Sequence, residues 1–139
     1  MRECRHESSV GILESLRRGD SVQVKAHGFS MWPSYRDGVV VEVFPCDLGH
    51  VRIGDVVLVK VSERILLHRV VGRCGKGIVT KGDARRRSDG VIPPERLFGR
   101  VARRREDRIL GHFSGVFGSP LWILSNIYRQ FFDRIQGPL

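Results

Sequence analysis

The pattern of hydrophobic and polar positions between residues 21 and 103 predicts a series of short β-strands. Valine alternates with polar side chains at the start of this region, and apolar runs bounded by turn residues follow. The predicted strands cover residues 21–26, 39–44, 56–61, 65–71, 78–80 and 97–103. Because short strands with turns dominate and no strand–helix–strand alternation is present, we expect a mainly β fold, a small coiled barrel or sheet.

Apolar residues at helical spacing flank this region on both sides. The first stripe predicts a short N-terminal helix that begins at Ser8 or Ser9 and ends at Gly19-Asp20. The second stripe predicts an apolar C-terminal helix, formed by Leu121, Leu124, Tyr128, Phe131, Phe132 and Ile135. We therefore divide the chain into a helical segment (1–20), a β domain (21–106) and an amphipathic helical tail (107–139).

The chain is basic, with 24 Lys and Arg against 15 Asp and Glu and a formal charge of +9 in 139 residues. Arginine clusters at 85–87 and 103–105 could meet an anionic lipid, an acidic partner or nucleic acid, or could simply be solvated. No zinc-finger, RRM or KH pattern accompanies them, which argues against nucleic acid. The three cysteines form no CxxC pair, so we expect no metal site and no cofactor.

The N-terminal residues lack the apolar core of a signal peptide or a membrane anchor. We therefore expect a cytoplasmic protein, or one held peripherally at a membrane through residues 120–135. The sequence does not indicate an oligomeric state.

One serine stands in a setting that suits a nucleophile. Ser30 follows the first predicted strand in the turn Gly28-Phe29-Ser30-Met31-Trp32-Pro33. A tight turn of this kind can present a hydroxyl outward and direct backbone N–H groups toward one point. Gly28, Phe29, Met31 and Pro33 are therefore the candidate residues of an oxyanion or substrate loop.

A serine nucleophile needs a base, and His68 is the candidate because a neutral imidazole can accept its proton. His68 lies within an apolar strand, where a histidine can equally be a core residue. Asp83 and Asp89 follow one short strand later, and either could orient the imidazole. Lys60 and Lys81 are rival bases, but a lysine must be desolvated to lose its proton, and both are expected to be exposed.

Five blocks in this order resemble the type I signal peptidase clan, to which the LexA-like self-cleaving repressors also belong. They are the Ser30 turn, Gly54-Asp55-Val56-Val57, His68-Arg69-Val70-Val71, Thr80-Lys81-Gly82-Asp83, and Asp89. Bacterial signal peptidases and LexA-like proteins place lysine at the position of His68. The endoplasmic-reticulum and archaeal type places histidine there, and this chain is similar to that type.

The resemblance implies a serine endopeptidase that removes a leader or signal peptide by acyl transfer through Ser30 and His68. It also implies that Asp89 supports catalysis and that Asp83 has a structural or supporting role. The chain departs from the family in having Gly28-Phe29 where signal peptidases have Ser-Gly, and Asp37-Gly38 where they have Gly-Asp. The alternatives are a LexA-like module that cleaves itself or binds a partner, and a fold that has lost catalysis.

Overall fold

The computed structural model describes residues 9–102 as one helix and seven strands. The helix is α1 (Ser9–Arg17). The strands are β1 (Val22–Lys25), β2 (Val40–Pro45), β3 (Val56–Val61), β4 (Arg64–Cys74), β5 (Gly77–Lys81), β6 (Val91–Ile92) and β7 (Leu97–Val101). Short 3₁₀ turns lie at Leu48–His50 and Pro94–Arg96. The expected helix in the tail (107–139) and the expected membrane contact through 120–135 lie outside the described residues.

All strand pairs are antiparallel, and the strand order in the sheet is β1-β2-β7-β3-β4-β5-β6. The predicted mainly β fold with a short N-terminal helix is therefore confirmed. The barrel alternative is wrong for the described strands, because β1 and β6 each pair with a single neighbour and leave the sheet open. With only two residues, β6 is too short to continue the sheet around to β1.

The central strand β3 is buried on both faces from Val56 to Val59, as its run of four apolar residues indicates. Successive side chains of a strand point to opposite faces, so Val56 and Leu58 enter one core while Val57 and Val59 enter the other. The first core also contains Leu16 of α1. These two cores fix the sheet that carries the candidate site.

The predicted strands differ from the observed ones mainly at their ends. β4 runs three residues beyond the predicted end, to Cys74, because a two-residue turn at Gly75-Lys76 lets it pair with β5 along its length. A register shift between Val70 and Gly72 interrupts that pairing. β6 was missed because its two residues lie in a stretch that reads as a polar loop.

Replacing Leu58 by alanine tests the two-sided burial of β3. Its side chain is 2% exposed, so Leu58→Ala should lower the free energy of unfolding by about 2–5 kcal/mol through lost burial and a cavity. Val10→Ala is the control, since Val10 is 66% exposed and should change stability by less than about 0.5 kcal/mol. Urea denaturation measures both, and similar losses for the two variants would contradict the assignment of Leu58 to the core.

Candidate active site

Ser30 lies in a tight loop between β1 and β2. Gly28 has φ +91°, a conformation that side chains rarely adopt, and its N–H donates to Asp37 Oδ1 at 2.8 Å. The Trp32 N–H donates to the Phe29 carbonyl at 3.1 Å and closes the turn around Ser30. Asp37, the acidic residue of the Asp37-Gly38 pair, therefore closes the Ser30 loop through its hydrogen bond with Gly28.

The same loop is fastened to the turn that follows β5. The Ala84 N–H donates to the Ser30 carbonyl at 2.8 Å, and the Asp83 N–H approaches Met31 Sδ at 3.4 Å. Met31 is 5% exposed and belongs to the first core, whereas Phe29 is 59% exposed. Met31 thus anchors the loop from below, and Phe29 projects outward beside Ser30.

Ser30, His68 and Asp89 form one continuous chain of polar contacts. Ser30 Oγ lies 3.2 Å from His68 Nε2, and His68 Nδ1 lies 2.6 Å from Asp89 Oδ2. The side chain of His68 is 4% exposed and that of Asp89 is 13% exposed. Three residues from β4 and two separate loops are therefore brought together as the sequence predicts.

Asp89 is held from two directions by Thr80. The Thr80 hydroxyl donates to Asp89 Oδ2 at 2.7 Å, and the Asp89 N–H donates to the Thr80 carbonyl at 2.8 Å. Burial alone would raise the pKa of Asp89. The hydrogen bonds from His68 and Thr80, together with the charges of His68 and Arg85, outweigh burial and hold that pKa below its usual 3.8.

The ionised state of Asp89 determines how His68 is oriented. A carboxylate without a proton can only accept hydrogen bonds, so Nδ1 of His68 must carry the hydrogen in the contact with Asp89. In a neutral imidazole, Nε2 is then an acceptor, and it faces the Ser30 hydroxyl. This is the arrangement that lets a histidine remove a proton from serine.

Asp83 occupies a different position, in a buried ion pair with Arg69. Arg69 Nε and Nη2 each donate to one oxygen of Asp83 at 2.8 Å, and Nη1 donates to the Gly54 carbonyl at 2.7 Å. The two side chains are 2% and 6% exposed. Such a two-point pair fixes geometry as well as charge, so Asp83 holds the turn after β5 against β4.

Gly82 permits the close approach of the nucleophile and the histidine. A Cβ atom at this position would lie 2.7 Å from the Ser30 carbonyl oxygen and 3.2 Å from His68 Nε2. The first distance is shorter than side chains tolerate against backbone. Glycine is therefore required where the β5 turn passes between the Ser30 loop and β4.

The rival lysines make other contacts. Lys60 Nζ lies 3.7 Å from Glu63 Oε2, and Lys81 Nζ donates to the Arg85 carbonyl at 2.9 Å. Desolvation by partial burial lowers the pKa of Lys81, but its ammonium group is committed to the loop backbone. The group in hydrogen-bond contact with the Ser30 hydroxyl is His68.

A cleft of about 650 Å³ opens beside Ser30, between β1 and the first half of β4. Its walls are largely apolar, with Val24, Leu58, Ile65 and Leu67 among the lining residues. Among residues 9–102, the backbone N–H groups of Ser30 and Met31 have no acceptor. They are candidate donors to an oxygen atom that binds beside Ser30.

Sequence reasoning assigned no role to Arg69, Thr80 or Gly82, although all three lie inside the matching blocks. Thr80 could have been found from periodicity, because it shares the buried face of β5 with Ile78 and a buried hydroxyl needs a partner. Arg69 gave no comparable signal, since an arginine beside His68 can as well reach solvent.

Comparison of the chain with models of known protein families, with curated proteins and with solved structures returned no match. The family resemblance therefore rests on the residue blocks of the sequence and stays a prediction. Within residues 9–102, no helix is long and apolar enough to cross a membrane. That part of the chain also contains no group of three His, Cys, Asp or Glu side chains placed to hold a metal ion.

Replacing Asp83 by asparagine should destabilise the protein strongly. The change leaves the Arg69 guanidinium buried without its carboxylate, which should cost about 3–5 kcal/mol of unfolding free energy in urea titrations. The exposed acid in Asp20→Asn is the control and should change stability by less than about 0.5 kcal/mol.

The double variant Arg69→Met/Asp83→Leu removes both charges and should lose less stability than Asp83→Asn alone. A double variant that is as unstable as the single one, or an Asp83→Asn variant as stable as Asp20→Asn, would contradict a structural ion pair.

Proposed function

We propose that this protein is a serine endopeptidase of the signal peptidase type that cleaves a leader or signal peptide. The observation that carries the proposal is the unbroken contact chain from Ser30 Oγ through His68 to Asp89. A hydroxyl, an imidazole and an ionised carboxylate in this order form the machinery of acyl transfer. The order of the sequence blocks supports the same function.

In the proposed reaction, His68 Nε2 takes the hydroxyl proton while Ser30 Oγ attacks the carbonyl carbon of the scissile peptide bond. Asp89 stabilises the imidazolium that forms. His68 then gives its proton to the departing amine, and the N-terminal part of the peptide stays on Ser30 as an ester. A water molecule, deprotonated by His68, attacks that ester and restores the free hydroxyl.

The negative charge that develops on the peptide oxygen requires donors near Ser30. The N–H groups of Ser30 and Met31 are available, and we assign them this role. Since Gly28 stands where signal peptidases have a serine two positions before the nucleophile, the oxyanion site is built mainly from backbone groups. The apolar cleft next to Ser30 would hold the peptide segment that flanks the cut.

Self-cleavage, as in the LexA-like proteins, is the second candidate function. Ser9 and Ile12 of α1 line the same cleft as Ser30, so the first helix borders the cleft that contains the nucleophile. Incubation of the purified protein without any peptide separates the two functions. Shortening of the chain that Ser30→Ala abolishes would favour self-cleavage, whereas an intact chain that cuts added peptides would favour the peptidase.

The proposal predicts loss of cleavage when Ser30 or His68 is replaced. A library of peptides from a digested proteome, analysed by mass spectrometry, supplies substrates without knowledge of the natural one. Ser30→Ala and His68→Gln should each lower the cleavage rate by at least about 10³-fold. The double variant should be no slower than either single variant, because the two groups act in the same step.

Ser21→Ala is the matched control, since Ser21 is an exposed serine that donates to Glu42 at the start of β1. It should cut the library at the wild-type rate. Cleavage that survives Ser30→Ala, or the absence of any Ser30-dependent product from library and chain alike, would refute the peptidase.

Gly82→Ala should slow cleavage, since its Cβ would force the Ser30 carbonyl and the turn after β5 to shift relative to His68. We expect kcat to fall by about 10²-fold, the cost of roughly 1 Å of misplacement, with a smaller effect on KM. Gly75→Ala is the control, because a Cβ there meets nothing within 4 Å. Equal rates for the two variants in the same peptide assay would contradict the close approach.

A further inference from the structure

The charged side chains that line the cleft beside Ser30 are all basic. Lys25 and Arg64 stand on its two walls, and His27 lies at its rim near Ser30. His27 is 3.9 Å from Asp37, so its charge when protonated is partly balanced. No carboxylate is among the described residues that line the cleft. The remaining lining is apolar or neutral, so the field of the two cations is not cancelled within the cleft.

A third cation lies outside the cleft, on the loop that carries Asp89. Arg85 packs over Gly82, where its Cγ would be 2.8 Å from an added Cβ. That added Cβ would also be 3.2 Å from His68 Nε2. The aliphatic part of the Arg85 side chain therefore lies next to the reacting groups. Arg86 and Arg87 extend this loop and are exposed. Positively charged side chains therefore lie both in the cleft and in the turn after β5 that contacts the Ser30 loop.

The carboxylates closest to the site are already engaged in the described structure. Asp83 accepts from Arg69, and Asp89 accepts from His68 and Thr80. Asp37 accepts from the Gly28 N–H and lies 3.9 Å from His27. They offer little to a positively charged side chain of a substrate. An apolar cleft with cations at its edges concentrates the positive potential where an extended peptide must pass, and this favours peptides that carry negative charge.

We propose that the protein selects peptides with acidic side chains within a few residues of the scissile bond. Lys25 and Arg64 would form ion pairs with acidic side chains of the peptide that lie in the cleft. Arg85 would pair with an acidic side chain that lies beyond Ser30. The inference rests on the proposed peptidase function and adds the substrate class to it. Exposed charge pairs of this kind each favour the complex by about two- to five-fold.

The test uses matched peptides built on one sequence that the library shows to be cut. Versions carrying Glu, Gln or Lys at the flanking positions are compared by kcat/KM at low and high salt. We expect the Glu peptide to be preferred over the Gln peptide by about 10-fold at low salt, with the Lys peptide poorest. Salt should reduce the preference, because exposed charge pairs are screened.

The matched variants remove two positive charges either in the cleft or elsewhere. Lys25→Gln/Arg64→Gln should reduce the Glu preference to about two-fold, and adding Arg85→Gln should abolish what remains. Lys76→Gln/Arg96→Gln removes two exposed cations that do not line the cleft and should leave the preference unchanged. A preference that falls equally in both double variants would overturn the inference, since it would reflect net charge alone.

Binding to the Ser30→Ala variant separates this inference from the proposed function. Fluorescence anisotropy with the labelled Glu and Gln peptides measures selection when no bond is cut. Equal affinities, or equal kcat/KM in the active protein, would overturn the acidic preference and leave the peptidase intact. Vesicles of phosphatidylglycerol and phosphatidylcholine are a second probe. Binding to vesicles that Lys25→Gln/Arg64→Gln weakens, with no change in Glu-peptide binding, would assign the cations to lipid and overturn it as well.

Discussion

The buried ion pair between Arg69 and Asp83 is the constraint on which the candidate site depends. Arg69 joins β4 to the turn after β5 and, through Gly54, to the loop before β3. The turn it fixes also receives the Ser30 loop, because Ala84 donates to the Ser30 carbonyl. One charged pair in the interior thus sets the position of the nucleophile relative to β4. Burying it is costly, and its function is to define one geometry for three separate segments.

His68 and Arg69 are neighbours in the chain but serve the two faces of β4. Arg69 faces the ion pair, while His68 faces Ser30 and Asp89. Because successive side chains of β4 point to opposite faces, this one strand connects the Arg69–Asp83 ion pair to the reacting groups. Asp89 completes the arrangement, since Thr80 and His68 donate to the same oxygen and keep the carboxylate ionised. A single orientation of the imidazole follows from these contacts.

The strands other than β6, the short N-terminal helix and the pairing of Ser30 with His68 could be predicted from the sequence, because periodicity and motif order report on them directly. The choice between Asp83 and Asp89 could not, since both follow β5 within a few residues and the turn at Gly82 decides which one reaches His68. Whether the sheet closes could not be predicted either, because β6 has only two residues and lies within a polar stretch. The basic cleft needed the structure, since its cations come from β1 and β4, far apart in the sequence.

The measurement that tests the account most directly is the tautomer of His68, read from its ¹⁵N chemical shifts in the resting protein. Whenever the ring is neutral, we expect hydrogen on Nδ1 and a free lone pair on Nε2, because ionised Asp89 fixes the first and Ser30 approaches the second. The same spectrum should show an Nδ1 proton that exchanges slowly. Hydrogen on Nε2 instead would mean that His68 donates to Ser30, could not act as its base, and would contradict the proposed chemistry.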